Sequence, residues 1–202
     1  FDPYFFKITN LVIHLMTGIL VFLAARCLRF SLLLAGFVMA FFLLHPIQLT
    51  SVLYVVQRMT SLAALFLLAA FLLHVVGRER GARAGWAMLL AAWCVCWPLS
   101  MLSKETGTLF PLFVVGWEVI VRRQQIGQLD RFGKIVSATV ALAVAAGGAD
   151  LLLPADEWLW AGYAMRDFSP LERLLTESRV IWLYLGLIFL PRLDAFGLQH
   201  DD

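Results

Sequence analysis

Apolar residues in this chain gather in runs, and the runs are long. Six of them, over about residues 11–28, 31–44, 58–76, 85–102, 107–121 and 135–153, are broken by short clusters of charge, proline and glycine. A helix that spans a bilayer needs about 20 predominantly apolar residues. The pattern therefore predicts an all-α chain, a polytopic transmembrane helix bundle. Aromatic residues favour the headgroup level, so Phe1, Tyr4, Phe5 and Phe6 mark the approach to the first span. Lys7, Asn10, His14 and Thr17 recur at helical spacing and share one face. A polar stripe on a membrane helix faces the bundle interior. His14 is then either an interhelical hydrogen-bonder or a substrate contact.

The breaks between runs carry their own information. His45-Pro46 ends the second run, because proline lacks an N–H and disfavours helix before it. Residues 47–57 read as a short amphipathic or re-entrant piece. Residues 77–83 read as a tight basic turn, and 122–134 as a polar, basic loop. The sixth run is rich in alanine and glycine, which allows close packing on a neighbour. Residues 154–178 form a longer loop with Asp156, Glu157, Asp167, Glu172, Glu177, Trp158 and Trp160. The apolar stretch within 179–191 is shorter than a span, which predicts a re-entrant or interfacial helix; a short seventh span is the rival reading.

Composition places these helices in lipid. Hydrophobic residues make up 61% of the 202 and charged residues 15%, with a mean hydropathy of +0.83. Soluble domains carry about 45–50% apolar and about 25% charged residues. The net charge of +2 says little; the placement of charge says more. Alternate breaks hold Arg26 and Arg29, then Arg78, Arg80 and Arg83, then Arg122, Arg123, Arg131 and Lys134. Basic loops stay cytoplasmic. Residues 1–10, 45–58, 103–106 and those after 153 then share the external side. His74 falls near the cytoplasmic end of its span and reads as interfacial.

Several classes drop out. The basic residues lie where topology alone demands them, so no nucleic-acid partner is expected. Cys27, Cys94 and Cys96 lie in apolar runs, and Cys94-x-Cys96 is not metal spacing. No metal is predicted, and no cofactor is assigned. The sequence lacks the glycine-rich phosphate loop, the nucleophile elbow and the zinc-protease helix. It begins at Phe1 without a signal-peptide pattern, so it is read as an internal piece of a longer chain.

What remains is an external set of polar residues: His45, Gln57, Arg58, Lys104, Glu105, Glu177, Arg179, His200 and Asp201. A charge kept beside apolar runs is costly. Arg58, Lys104 and Arg179 are suited to a phosphate, arginine through its planar fork. The carboxylates are suited to proton transfer or to a cation. Against this stand plainer readings. Arg58 snorkels to the headgroups, Lys104-Glu105 is a surface turn, and Glu177-Ser178-Arg179 opens an amphipathic piece.

The same residues resemble a family. Asp2-Pro3-Tyr4-Phe5-Phe6-Lys7-x-Thr9-Asn10-Leu11-x-Ile13-His14, His45-Pro46-Ile47-Gln48, Val56-Gln57-Arg58, Ser103-Lys104-Glu105 and His200-Asp201 resemble the membrane half of bacterial tetratricopeptide-repeat glycosyltransferases. These are similar to the transmembrane O-mannosyltransferases with tetratricopeptide repeats, in the multi-span GT-C class. The resemblance implies transfer of a sugar from a polyprenyl-phosphate donor to a protein or other hydroxyl acceptor. The reaction would take place on the external, periplasmic face of a bacterial inner membrane. It implies Arg58 and Lys104 at the donor phosphate, with His45 nearby; Gln57 and Arg179 are read from the polar set as further substrate-binding residues. Glu105, His200 and Asp201 would order the site or touch the acceptor. The catalytic aspartate of such enzymes comes from a loop expected before Phe1, and the repeats are expected after Asp202. The alternative is a membrane transporter or a non-catalytic membrane scaffold, but no repeated halves meeting at the midplane are visible.

Overall fold

The computed structural model describes residues 3–80, 82–152 and 168–191. All regular structure among them is helical. The chain divides into two units, Phe1–Val136 and Ser137–Asp202.

In the first unit, α1 (Pro3–Cys27) and α2 (Leu32–Leu44) pack together and α1 also packs along α4 (Arg58–Arg80). Gly18 makes the α1–α2 approach close: a Cβ there would lie 2.5 Å from Leu43 Cδ2. The predicted polar face of α1 turns inward at Asn10, His14 and Thr17, all buried, while Lys7 is exposed. His14 Nε2 meets the Leu43 carbonyl of α2 at 3.1 Å, as an interhelical hydrogen-bonder would. Ser31 caps α2 through Leu34 N–H at 3.2 Å. Outward-facing Leu32, Leu33, Phe37 and Phe41 leave α2 apolar on its free side.

Between α2 and α4 the chain turns through a 3-10 segment (Pro46–Gln48), the short α3 (Leu49–Leu53) and a second 3-10 turn (Val55–Gln57). Leu32–Leu44 and Pro46–Leu53 form a pair bent by 49°. Proline at 46 enforces the bend, because it cannot donate to the preceding turn.

After α4 come α5 (Ala82–Ala91), a π-helical turn (Ala92–Cys96) and α6 (Trp97–Ser103), a continuous path back along α4. A 3-10 segment (Glu105–Leu109) leads into α7 (Phe110–Gly116), which passes into a second π-helical turn (Trp117–Arg122) and α8 (Arg123–Ile126). The residues 77–83, expected as a tight turn, are largely helical, for α4 runs on to Arg80. Glycine explains the tight return. A Cβ on Gly85 would lie 2.5 Å from the Gly77 carbonyl oxygen, so only glycine lets α4 and α5 approach so closely. Ala70, Ala92, Phe110 and Val114 form the fully buried core, with Leu67, Phe71, Trp93 and Trp97 packed against it. Trp97 Nε1 donates to the Gly107 carbonyl and Ser100 Oγ to the Ala63 carbonyl, which ties α6 to its neighbours.

α9 (Arg131–Leu152) begins in the first unit, and α10 (Pro170–Phe189) lies in the second. α10 differs from expectation. The segment 154–178 was predicted as loop and 179–191 as the helix, whereas helix starts at Pro170. Ser169 accepts from Glu172 N–H, and the Glu172 carboxylate accepts from Ser169 N–H. Proline follows the cap in the first turn. This capping box nucleates a helix ahead of the apolar stretch.

Among the described residues, three helical segments are long and apolar enough to cross a membrane: Tyr4–Cys27, Val55–Arg80 and Arg83–Ser103; the bent pair would make a fourth.

Candidate functional site

The first turn of α4 gathers three of the predicted residues. Gln57 and Arg58 stand where the second 3-10 turn passes into α4. Thr60, half-buried, donates through Oγ1 to Gln57 Oε1 at 3.2 Å and accepts from Lys104 Nζ at 3.0 Å. Lys104 follows α6 in extended conformation, which releases its side chain from the helix toward α4. Residues 44 positions apart thus share one hydrogen-bonded chain. Arg58 Nε donates to Asn10 Oδ1 at 2.9 Å, and Nη2 to the Phe6 carbonyl at 3.1 Å. The guanidinium carbon lies 5.1 Å from the Phe6 ring centre, a cation–π distance.

Other predicted residues stand differently. His45 caps the first 3-10 turn: its Nδ1 accepts from Ile47 N–H at 3.1 Å, and its ring edge meets Phe41. Glu105 is exposed and opens the 3-10 segment after Lys104, with its carbonyl accepting from Thr108 Oγ1. Arg179 is exposed on α10, in the second unit. Glu177 of the same helix pairs with Arg173 at 3.7 Å. His200 and Asp201 lie outside the described residues.

A second polar centre, at the far end of α4, was not predicted. Arg78 Nε donates to Glu118 Oε1 at 2.7 Å, and Arg78 Nη2 to Asp130 Oδ2 at 2.7 Å. Arg122 stands 3.7 Å from Glu118 and donates to the Arg78 carbonyl at 3.3 Å. The Arg78 guanidinium also covers the Phe132 ring at 4.5 Å. Glu118 is fully buried. His74, expected as interfacial, is fully buried as well, 3.4 Å from Glu118 Oε1. Trp93 Nε1 donates to its Nδ1 at 3.2 Å, which leaves the proton of the neutral ring on Nε2, facing Glu118. Both partners of His74 come from π-helical turns, Trp93 from the first and Glu118 from the second. Such wide turns often mark functional or specially packed positions.

One signal for this centre stood in the sequence. Glu118 is the lone acid in an apolar run of residues 107–121. A buried carboxylate needs a cation, and Arg78 was assigned only to the charge pattern of a loop. Asp130 completes the group from the segment before α9. Burial raises the pKa of its carboxyl, but the Gly133 N–H and the Arg78 charge outweigh that and hold it below the usual range.

Comparison with protein-family models, with curated proteins and with solved structures finds no match.

Proposed function

We propose that this chain is part of a polytopic membrane glycosyltransferase of the GT-C type. In this reading it moves a sugar from a polyprenyl-phosphate donor to a protein or other hydroxyl acceptor, on the periplasmic face of a bacterial inner membrane. The observation that carries the reading is the junction at the first turn of α4, where Arg58 and Lys104 stand at one end of the bundle. Cations at a span end sit where a lipid-linked phosphate sits.

The chemistry follows from charge. The bond between the sugar and the donor phosphate breaks, and the acceptor oxygen takes the sugar while its hydroxyl proton passes to a carboxylate base of the full-length protein. Negative charge grows on the leaving phosphate, and preorganised donors aimed at it lower the barrier. Arg58 uses two of its five guanidinium N–H groups on Asn10 and Phe6, and Lys104 one of its three on Thr60. The remaining donors are available to phosphate oxygens. Gln57 and His45 would complete the donor contacts, and Glu105, exposed beside Lys104, would serve the acceptor side.

The test is sugar transfer by full-length protein in membranes. Arg58→Ala and Lys104→Ala should each abolish transfer at normal expression. Activity within about twofold of wild type in both variants would overturn the assignment.

A further inference from the structure

We propose that Asn10 is a positioning residue that aims Arg58 at the phosphate of a polyprenyl-linked ligand; the proposal rests on the reading of Arg58 given above. Asn10 is fully buried on α1. Its Nδ2 donates to the Val52 carbonyl at 3.3 Å and the Tyr54 carbonyl at 3.2 Å, while its Oδ1 accepts from Arg58 Nε at 2.9 Å. The amide has one workable orientation here, because carbonyls only accept and a guanidinium only donates. One side chain therefore holds the end of α3 and the start of α4 in register with α1.

The consequence for Arg58 is directional. Asn10 takes Nε, and the Phe6 carbonyl takes Nη2, one helical turn earlier on α1. These two atoms lie along one edge of the planar group. Held by that edge, the fork presents its Nη1 end in a set direction. Nη1 has no partner among the described residues. An arginine already ordered loses less side-chain entropy when it meets a phosphate, which improves affinity without a new contact. Asn10 itself need touch no ligand.

Two roles must be separated: support of Arg58, and packing of α1 alone. A double-mutant cycle separates them, since residues that act through one another do not add. Binding of a long-chain polyprenyl monophosphate to the full-length protein in nanodiscs is measured for wild type, Asn10→Ala, Arg58→Ala and the double variant. Asn10→Ala should weaken binding by about 10- to 100-fold, the worth of a hydrogen bond to a charged group. The same change should add nothing in the Arg58→Ala background. Thr17→Val removes another buried polar group of α1, a hydroxyl bonded within its own helix, and should leave binding unchanged. Wild-type binding by Asn10→Ala, or losses that multiply in the double variant, would overturn the positioning role. Wild-type binding by Arg58→Ala would instead overturn the phosphate assignment, and the present proposal with it. If Asn10→Ala does not fold, Asn10→Ser carries the same cycle.

Discussion

Arg58 and Arg78 stand near the two ends of α4, separated by roughly 30 Å at about 1.5 Å per residue, and they are used differently. Arg78 is saturated. Two carboxylates, those of Glu118 and Asp130, pair with it, and the Phe132 ring covers it. Arg58 is held by neutral groups only, an amide and a backbone carbonyl, together with the Phe6 ring. Its positive charge is positioned but not neutralised within the described residues. The contrast separates a charge that joins helices from a charge kept ready for something else. Lys104 belongs with Arg58 in this respect, since its recorded partner is the Thr60 hydroxyl.

The comparison breaks first at activity and stability together. Arg58→Ala should abolish transfer at a stability cost of about 1–3 kcal/mol, from the buried Asn10 Oδ1 left without its donor. Glu118→Ala should do the opposite in kind: removing one partner of a buried pair costs about 3–5 kcal/mol, because Arg78 loses the buried one of its two carboxylates. Loss of stability in Arg58→Ala equal to that in Glu118→Ala would erase the distinction. Next in size is the helix approach beside Arg78. Gly85→Ala puts a Cβ against the Gly77 carbonyl oxygen and should cost about 1–3 kcal/mol, as overpacking does. Unfolding temperature measures it, and Gly36→Ala, which meets nothing within 4 Å, is the control.

Acid should sharpen the contrast further. The folded-state pKa of Asp130 lies below the ordinary aspartate value, so its contribution is fully present above the unfolded pKa of about 3.9. That contribution is lost as pH falls through the lower, folded-state value. Asp130→Asn should therefore be less stable than wild type at neutral pH and should converge on it in acid. A stability titration from neutral pH downward reads this directly, and a constant offset at every pH would refute it. The smallest effect belongs to the second unit. Ser169→Ala removes the cap of α10 and should cost about 1 kcal/mol of helix stability, seen as faster amide exchange in residues 171–173.

Much of the fold was legible because apolar runs and their interruptions report secondary structure directly. The buried stripe of Asn10, His14 and Thr17 on α1 followed from spacing alone, and the bend at Pro46 from a missing N–H. The Ser169–Glu172 cap was equally readable in principle. The acids around it read as a loop. At the candidate site, Gln57, Arg58 and Lys104 stood out as polar residues beside apolar runs. Nothing in their spacing named Thr60 or Asn10 as the groups that link them to the rest of the bundle.

Sequence alone determined that this chain is helical and that several of its helices are long and apolar enough for a bilayer, because those properties depend on neighbours along the chain. Tertiary structure alone decided which arginine is neutralised. Arg58 and Arg78 each adjoin an apolar run, and their difference lies in partners drawn from 40 or more positions away. Helix packing brings such partners together, and no local pattern records it.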